Sequence, residues 1–150
     1  MLNSKLSNNE EEIKEHAYEE NNVCFVISPI GKKGTEEYKK FKDALDFIIK
    51  PTVENSDYKL KVLRADDIKK PGSLIKDILE NIYSSFIVIA DLTGQNPNVF
   101  YELGVRHSLS PRTILIAQSI EDIPSDLRDY RTIIYEMSLK CPAKFKNELL

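Results

Sequence analysis

Phe86-Ile87-Val88-Ile89-Ala90-Asp91-Leu92-Thr93-Gly94-Gln95-Asn96-Pro97-Asn98-Val99-Phe100-Tyr101-Glu102-Leu103-Gly104 changes character twice along its length. It begins as an unbroken apolar run, the pattern of a strand buried on both faces. A turn rich in Gly, Asn and Pro follows. The spacing then predicts a helix over residues 98–109, closed by Pro111. A buried strand feeding a helix through a short turn is half of a βαβ unit, and that unit calls for a parallel sheet.

The same alternation extends in both directions. Val23-Cys24-Phe25-Val26-Ile27 is a second buried run, broken by Ser28-Pro29-Ile30-Gly31. Thr35 can cap a helix over residues 36–53, with Phe41, Leu45, Ile48 and Ile49 at helical spacing. Leu60-Lys61-Val62-Leu63 reads as a short strand. Pro71-Gly72-Ser73 opens another helix, with Ser73 as N-cap and Leu74, Ile75, Ile78, Leu79 and Ile82 on its inner face. Thr113-Ile114-Leu115-Ile116-Ala117 and Ile133-Ile134-Tyr135 supply the last two strands, and a short helix is expected in the tail. The expected fold is a three-layer α/β domain with a mostly parallel five-stranded sheet flanked by helices.

The chain's 150 residues suit one such domain, assigned to residues 22–150. Residues 1–21 are rich in Asn, Ser and Glu and read as a flexible acidic arm. A net charge of −3 without a basic stripe argues against nucleic acid as a partner. The apolar runs are too short to span a bilayer, so no membrane association is expected. The N-terminus is polar where a signal peptide would be apolar, so a cytoplasmic location is expected. Cys24 and Cys141 have neither metal-ligand spacing nor a disulfide framework; Cys24 reads as a small buried hydrophobe, and no metal site is expected.

Parallel sheets bind ligands at the carboxyl ends of their strands. That rule selects the loops at residues 28–35, 64–73, 91–98 and 118–130. Asp91 ends a buried strand, where its carboxylate would face a pocket. Asn98 and Glu102 are one helical turn apart and share a face, and side chains lean toward a helix N-terminus. Taken singly, each has a plain structural role: Asp91 as a turn cap, Asn98 as an N-cap, Glu102 as a helix-dipole partner. Their clustering with Asn96 in one loop favours a site. Ser28 and the backbone of Ile30 and Gly31 can approach a ligand at the first strand end. Gly72 and Ser73 open a helix N-terminus suited to phosphate, and Arg64 can pair with a diphosphate; a plain cap and a salt bridge weigh nearly as much. Lys32 and Lys33 read as solvated, His107 as packing or surface, and Tyr101 as core or rim.

The block from Phe25 to Gly31, then Arg64-Ala65-Asp66, Gly72-Ser73, Ala90-Asp91-Leu92-Thr93-Gly94, the Asn96-to-Gly104 string and Asp126-Leu127-Arg128-Asp129-Tyr130-Arg131 resemble bacterial TIR-like nucleotide-binding proteins. They also resemble the related nucleoside 2-deoxyribosyltransferases. The resemblance covers residues 22–135 and implies a fold of flavodoxin-like or TIR-like type and cleavage of a bond between an anomeric carbon and a base nitrogen. Carried over, the acting glutamate is Glu102, Asp91 binds base or sugar, and Asn96 or Asn98 holds ribose hydroxyls. Asn96 and Asn98 stand where the transferases tend to place a second aspartate, which favours the TIR-like branch.

The implied activity is an NAD glycohydrolase that releases nicotinamide, with or without cyclisation of ADP-ribose, in antiphage or stress signalling. NAD is then substrate, and no cofactor is required. The nicotinamide of NAD is already cationic while attached to the ribose and departs neutral without a proton, so one carboxylate suffices; a neutral base would need a proton donor, for which Asp91 and Asp66 are the candidates. The resemblance also implies a homo-oligomer or an activating protein partner. Two alternatives stay open: a nucleoside or nucleotide 2-deoxyribosyltransferase or hydrolase, and a non-catalytic sensor of a nucleotide signal. For the Asp126-to-Arg131 segment, ion pairing of Arg128 and Asp129 that braces the site is the expectation.

Overall fold

A computed structural model describes residues 21–69, 71–137 and 147. The N-terminal arm up to residue 20, the tail helix and Cys141 lie outside the described residues. The chain runs β1 (Asn21–Ile27), α1 (Glu36–Ala44), a π-helical stretch (Leu45–Ile49), α2 (Lys50–Glu54), β2 (Lys61–Arg64), α3 (Leu74–Ser84), β3 (Ser85–Asp91), α4 (Pro97–Leu109), β4 (Thr113–Ala117) and β5 (Thr132–Ile134). The strands form one sheet in the order β2-β1-β3-β4-β5 with every neighbouring pair parallel. The expected α/β architecture with a five-stranded parallel sheet is therefore present.

Both faces of the sheet are buried, and side-chain alternation along β1 shows how. Cys24 and Val26 join one core with Leu45, Ile48, Ile49 and Val53. Phe25 and Ile27 join the opposite core with Ile78 and Ile82 of α3 and Val99 and Leu103 of α4. Crossovers between parallel strands are right-handed, so reversing the direction of travel across the sheet changes the face that is covered. The chain moves from β1 outward to β2, then back past β1 to β3. That reversal puts α1–α2 on one face and α3–α4 on the other, and it opens a crevice between the ends of β1 and β3.

Local departures from expectation have local causes. Residues 36–53 are not one regular helix, because Pro51 has no N–H to give and its ring crowds the preceding turn. The turn before it widens, and the Lys50 N–H bonds to the Leu45 carbonyl. Thr35 caps α1 as expected, its hydroxyl accepting from the Tyr38 N–H. Asn96, not Asn98, is the N-cap of α4: its side-chain oxygen accepts from the Asn98 and Val99 N–H groups at 2.9 and 3.4 Å. Ser73 holds the N-cap position of α3 without a side-chain capping bond. Leu74 and Ile75 are not on an inner face; they are 56 % and 50 % exposed. Leu74 is in line with buried Ile78 and Ile82, but it lines an open cleft rather than the core.

One polar cluster ties three strand ends together. Asp91 closes β3 with its carboxyl sealed from solvent. Its Oδ1 accepts from the Thr93 N–H at 3.0 Å and the Thr93 hydroxyl at 2.6 Å, and its Oδ2 accepts from the Tyr135 hydroxyl at 2.5 Å. The Thr93 oxygen accepts in turn from the Gln118 N–H, and Gln118 Nε2 donates to the Tyr135 oxygen. Removing the Tyr135 hydroxyl leaves a buried carboxyl oxygen without its donor, a loss of about 1–3 kcal/mol. Tyr135→Phe is therefore expected to unfold at lower urea concentration with an unchanged slope, as read by circular dichroism.

Candidate active site

A cleft of about 370 Å³ opens at the carboxyl ends of β1 and β2. The loop after β1, the loop after β2 and the first turns of α3 and α4 enclose it. Of the residues singled out from the sequence, Ser28, Ile30, Gly31, Arg64, Asp66, Asn96, Asn98 and Glu102 all line this cleft. Segments far apart in the chain converge there because the sheet's reversal places their loops side by side. Val26, Pro29, Ala65, Leu74, Ile78 and Val99 complete the wall. Leu74 escaped sequence reasoning as a wall residue, although an apolar side chain directly after the N-cap of a helix that starts beside the strand ends is a usable signal.

The loop after β1 is held by a steric constraint. Gly31 has φ +72°, and a Cβ built on it would lie 3.0 Å from the Tyr38 backbone nitrogen and 3.2 Å from the Glu37 side chain. Only glycine lets this turn press against the start of α1 while Ser28 and Ile30 face the cleft.

The acidic groups are treated in three different ways. Arg64, fully buried, closes its guanidinium on Asp66: Nε to Oδ1 at 2.6 Å and Nη2 to Oδ2 at 2.8 Å. The remaining Nη1 points at the Ser28 hydroxyl at 3.5 Å. Two of the nitrogens of Arg64, the residue expected to pair with a diphosphate, are thus committed to an internal fork-to-fork pair. The Asp66 carboxyl is held below the usual carboxylate range, chiefly by the hydrogen bonds from Arg64. Asp91 does not face the cleft; it is spent on Thr93 and Tyr135. Its burial raises its pKa, against the pull of those hydrogen bonds.

Glu102 differs from both. Asn98 and Glu102 share the cleft-facing side of α4, as their spacing predicts. Among the described residues, no hydrogen bond or ion pair reaches the Glu102 carboxyl. Burial therefore acts unopposed and pushes its pKa up to about 7. A half-buried carboxyl without a partner is an unfavourable placement for stability and a useful one for meeting a cation.

Other candidates fall outside. Gly72 and Ser73 are exposed and do not line the cleft, so the phosphate site expected at the start of α3 is not part of it. Lys32 and Lys33 are exposed, and Tyr101 is exposed rather than core. His107 stacks on Tyr130, with ring centroids 4.7 Å apart, and this docks the Asp126-to-Arg131 segment on α4. Arg128 and Asp129 are exposed and form no ion pair among the described residues, so the expected brace is absent there. A second depression of about 550 Å³ adjoins the cleft; Pro29 and Asn96 belong to both, and Glu36, Lys40, Thr93 and Gly94 line its far side. Among the described residues no group of three His, Cys, Asp or Glu side chains is placed to hold a metal ion, and no helix is long and apolar enough to cross a membrane.

The raised Glu102 pKa has a signed consequence for stability. A carboxyl that binds its proton more tightly when folded favours folding below its unfolded pKa. That advantage is lost as pH rises through about 7. Glu102→Gln removes the cost of the buried charge. It should be more stable than the native chain at pH 8, by on the order of 1 kcal/mol after allowance for partial exposure, and equal to it at about pH 4 and below, where both states are protonated. Urea titrations at the two pH values measure this difference.

No family model matches the chain, and no curated protein matches it at a significant level, so what this cleft can do follows from its own chemistry.

Proposed function

We propose that this domain cleaves the N-glycosidic bond of NAD and that Glu102 is the catalytic carboxylate. The observation that carries the reading is the state of the acids in the cleft. Glu102 lines it without a hydrogen-bond partner among the described residues and with its pKa raised by burial. The other cleft carboxylate, Asp66, is kept ionised by Arg64, and Asp91 is sealed behind the wall. Neither aspartate is available to protonate a departing base. A leaving group that already carries positive charge needs no such proton, and the nicotinamide of NAD is one.

In the reaction, the bond between the ribose anomeric carbon and the pyridinium nitrogen breaks, and its electron pair neutralises the ring. Positive charge passes to the sugar, where the Glu102 carboxylate stabilises it across the desolvated cleft. Water then adds to the anomeric carbon and loses a proton, giving ADP-ribose, nicotinamide and H⁺. Ionised Asp66, Ser28 and the Asn98 amide are suited to ribose hydroxyls as acceptor and donor groups. Asn96 has its side-chain oxygen spent on the α4 cap, so only its amide donor is available to a ligand. A dinucleotide exceeds the cleft, and the adjoining depression past Pro29 and Asn96 offers room for its remaining half.

Nicotinamide release from NAD by the purified chain, followed chromatographically, tests the proposal. Glu102→Gln is expected to lower the rate by on the order of 10²–10³-fold. Because the ionised carboxylate is the active form, native kcat/KM should level off above about pH 7 and fall roughly tenfold per pH unit below it. Base release from deoxynucleosides with NAD untouched would replace this reading with deoxyribosyl transfer. Tight nucleotide binding without turnover would replace it with a sensor.

A further inference from the structure

The outward surface of the α3–α4 pair carries a second feature, on the side away from the sheet. Ile75, Leu79 and Tyr83 follow one another at four-residue spacing along α3, and Tyr101, Val105 and Leu109 do the same along α4. Residues so spaced form a stripe on one helix face. The two stripes wall a groove of about 570 Å³. Leu79 and Val105 are its half-buried floor, while Ile75, Tyr83, Tyr101 and Leu109 are 47–60 % exposed along its rims. A contiguous apolar groove with aromatic rims is characteristic of an interaction surface.

We infer that this groove is a two-fold interface between two copies of the chain. The charges on the groove's α3 wall select that occupant. Lys76 and Glu80 are the charged residues lining the groove, and they stand one helical turn apart beside the apolar stripe. Their side chains are 74 % and 64 % exposed, and the pair within one copy spans 3.8 Å. So exposed a pair adds little to its own helix. About a two-fold axis crossing α3 near its middle, the two α3 helices run antiparallel. Lys76 of each copy then meets Glu80 of the other, and the apolar stripes close over one another. A two-fold contact requires such self-complementarity, and a patch bearing one charge of each sign at this spacing meets the requirement. Leu74, which precedes Ile75, lines the cleft, so the second copy sits beside the cleft mouth. The inference stands on the groove alone and does not depend on the NAD chemistry.

Sedimentation velocity of the full chain, from about 1 to about 100 μM, provides the test. The native chain is expected to dimerise in this range. Lys76→Glu makes this wall of the groove wholly acidic and Glu80→Lys makes it wholly basic, so each variant alone should dissociate at least about tenfold more readily. An equimolar mixture of the two should regain the dimer, because each then supplies the charge that the other lacks. Both positions are exposed, and circular dichroism is expected to show unchanged folding. A native chain that stays monomeric throughout overturns the inference. So do single variants that dimerise like the native chain, and so does a mixture that remains monomeric.

Discussion

A carboxyl group buried at the end of the central strand must be given hydrogen bonds, and the arrangement around Asp91 follows from that requirement. Its donors come from Thr93 just beyond β3 and from Tyr135 just beyond β5, while Gln118 beyond β4 braces both. Three strand ends are thereby locked at one level. The turn leaving β3 is pinned further: the Gly94 N–H donates to Asp122, and the Gln95 amide donates to the Glu121 carbonyl. That turn delivers Asn96 to the start of α4, and α4 carries Glu102. Through this chain of bonds Asp91 supports the turn that leads to α4, while its own carboxyl is buried and does not line the cleft.

The contrast among the three acids gives the cleft its chemical character. Desolvation weighs on each carboxyl, and what differs is the compensation. Asp91 has three hydrogen bonds and no access to the cleft. Asp66 has a bidentate arginine and stays charged. Glu102 has neither, so it sits near the midpoint of its titration at neutral pH and responds to whatever charge enters. A site that leaves one acid uncompensated while satisfying its neighbours is organised around that acid. The cost falls on stability, and it is relieved when the carboxyl takes up a proton.

The α3–α4 pair serves two surfaces at once. Its inner sides seal one face of the sheet through Ile78, Ile82, Val99 and Leu103. Its leading turns wall the cleft, and its outer side carries the apolar groove. Buried Arg106 helps to hold α4 in place: its guanidinium donates to the carbonyls of Ile82 and Arg112 at 2.7 and 3.1 Å, joining the end of α3 to the approach to β4. Any occupant of the groove therefore bears on the same two helices that shape the cleft.

Alternation and local chemistry carried a large part of this molecule. Continuous β-branched runs separated by helical periodicity allow little besides a parallel sheet covered on both faces, so the strands and the loops at their carboxyl ends were legible in the chain itself. The shared face of Asn98 and Glu102 was legible for the same reason, because it depends only on 3.6 residues per turn. The π-helical turn before Pro51 was legible in principle, since a proline inside a helix must disturb it. What the sequence could not supply was the partner of each charged group. Arg64 closes on Asp66, Asp91 is claimed by Tyr135 from across the sheet, and Glu102 has no partner among the described residues. Those outcomes depend on which loops the strand order brings together and on how deeply each group is buried. Pairing and desolvation are set by distance in space, which spacing along a chain does not encode, so periodicity determined the fold, and only tertiary packing decided which acids were compensated and which was not.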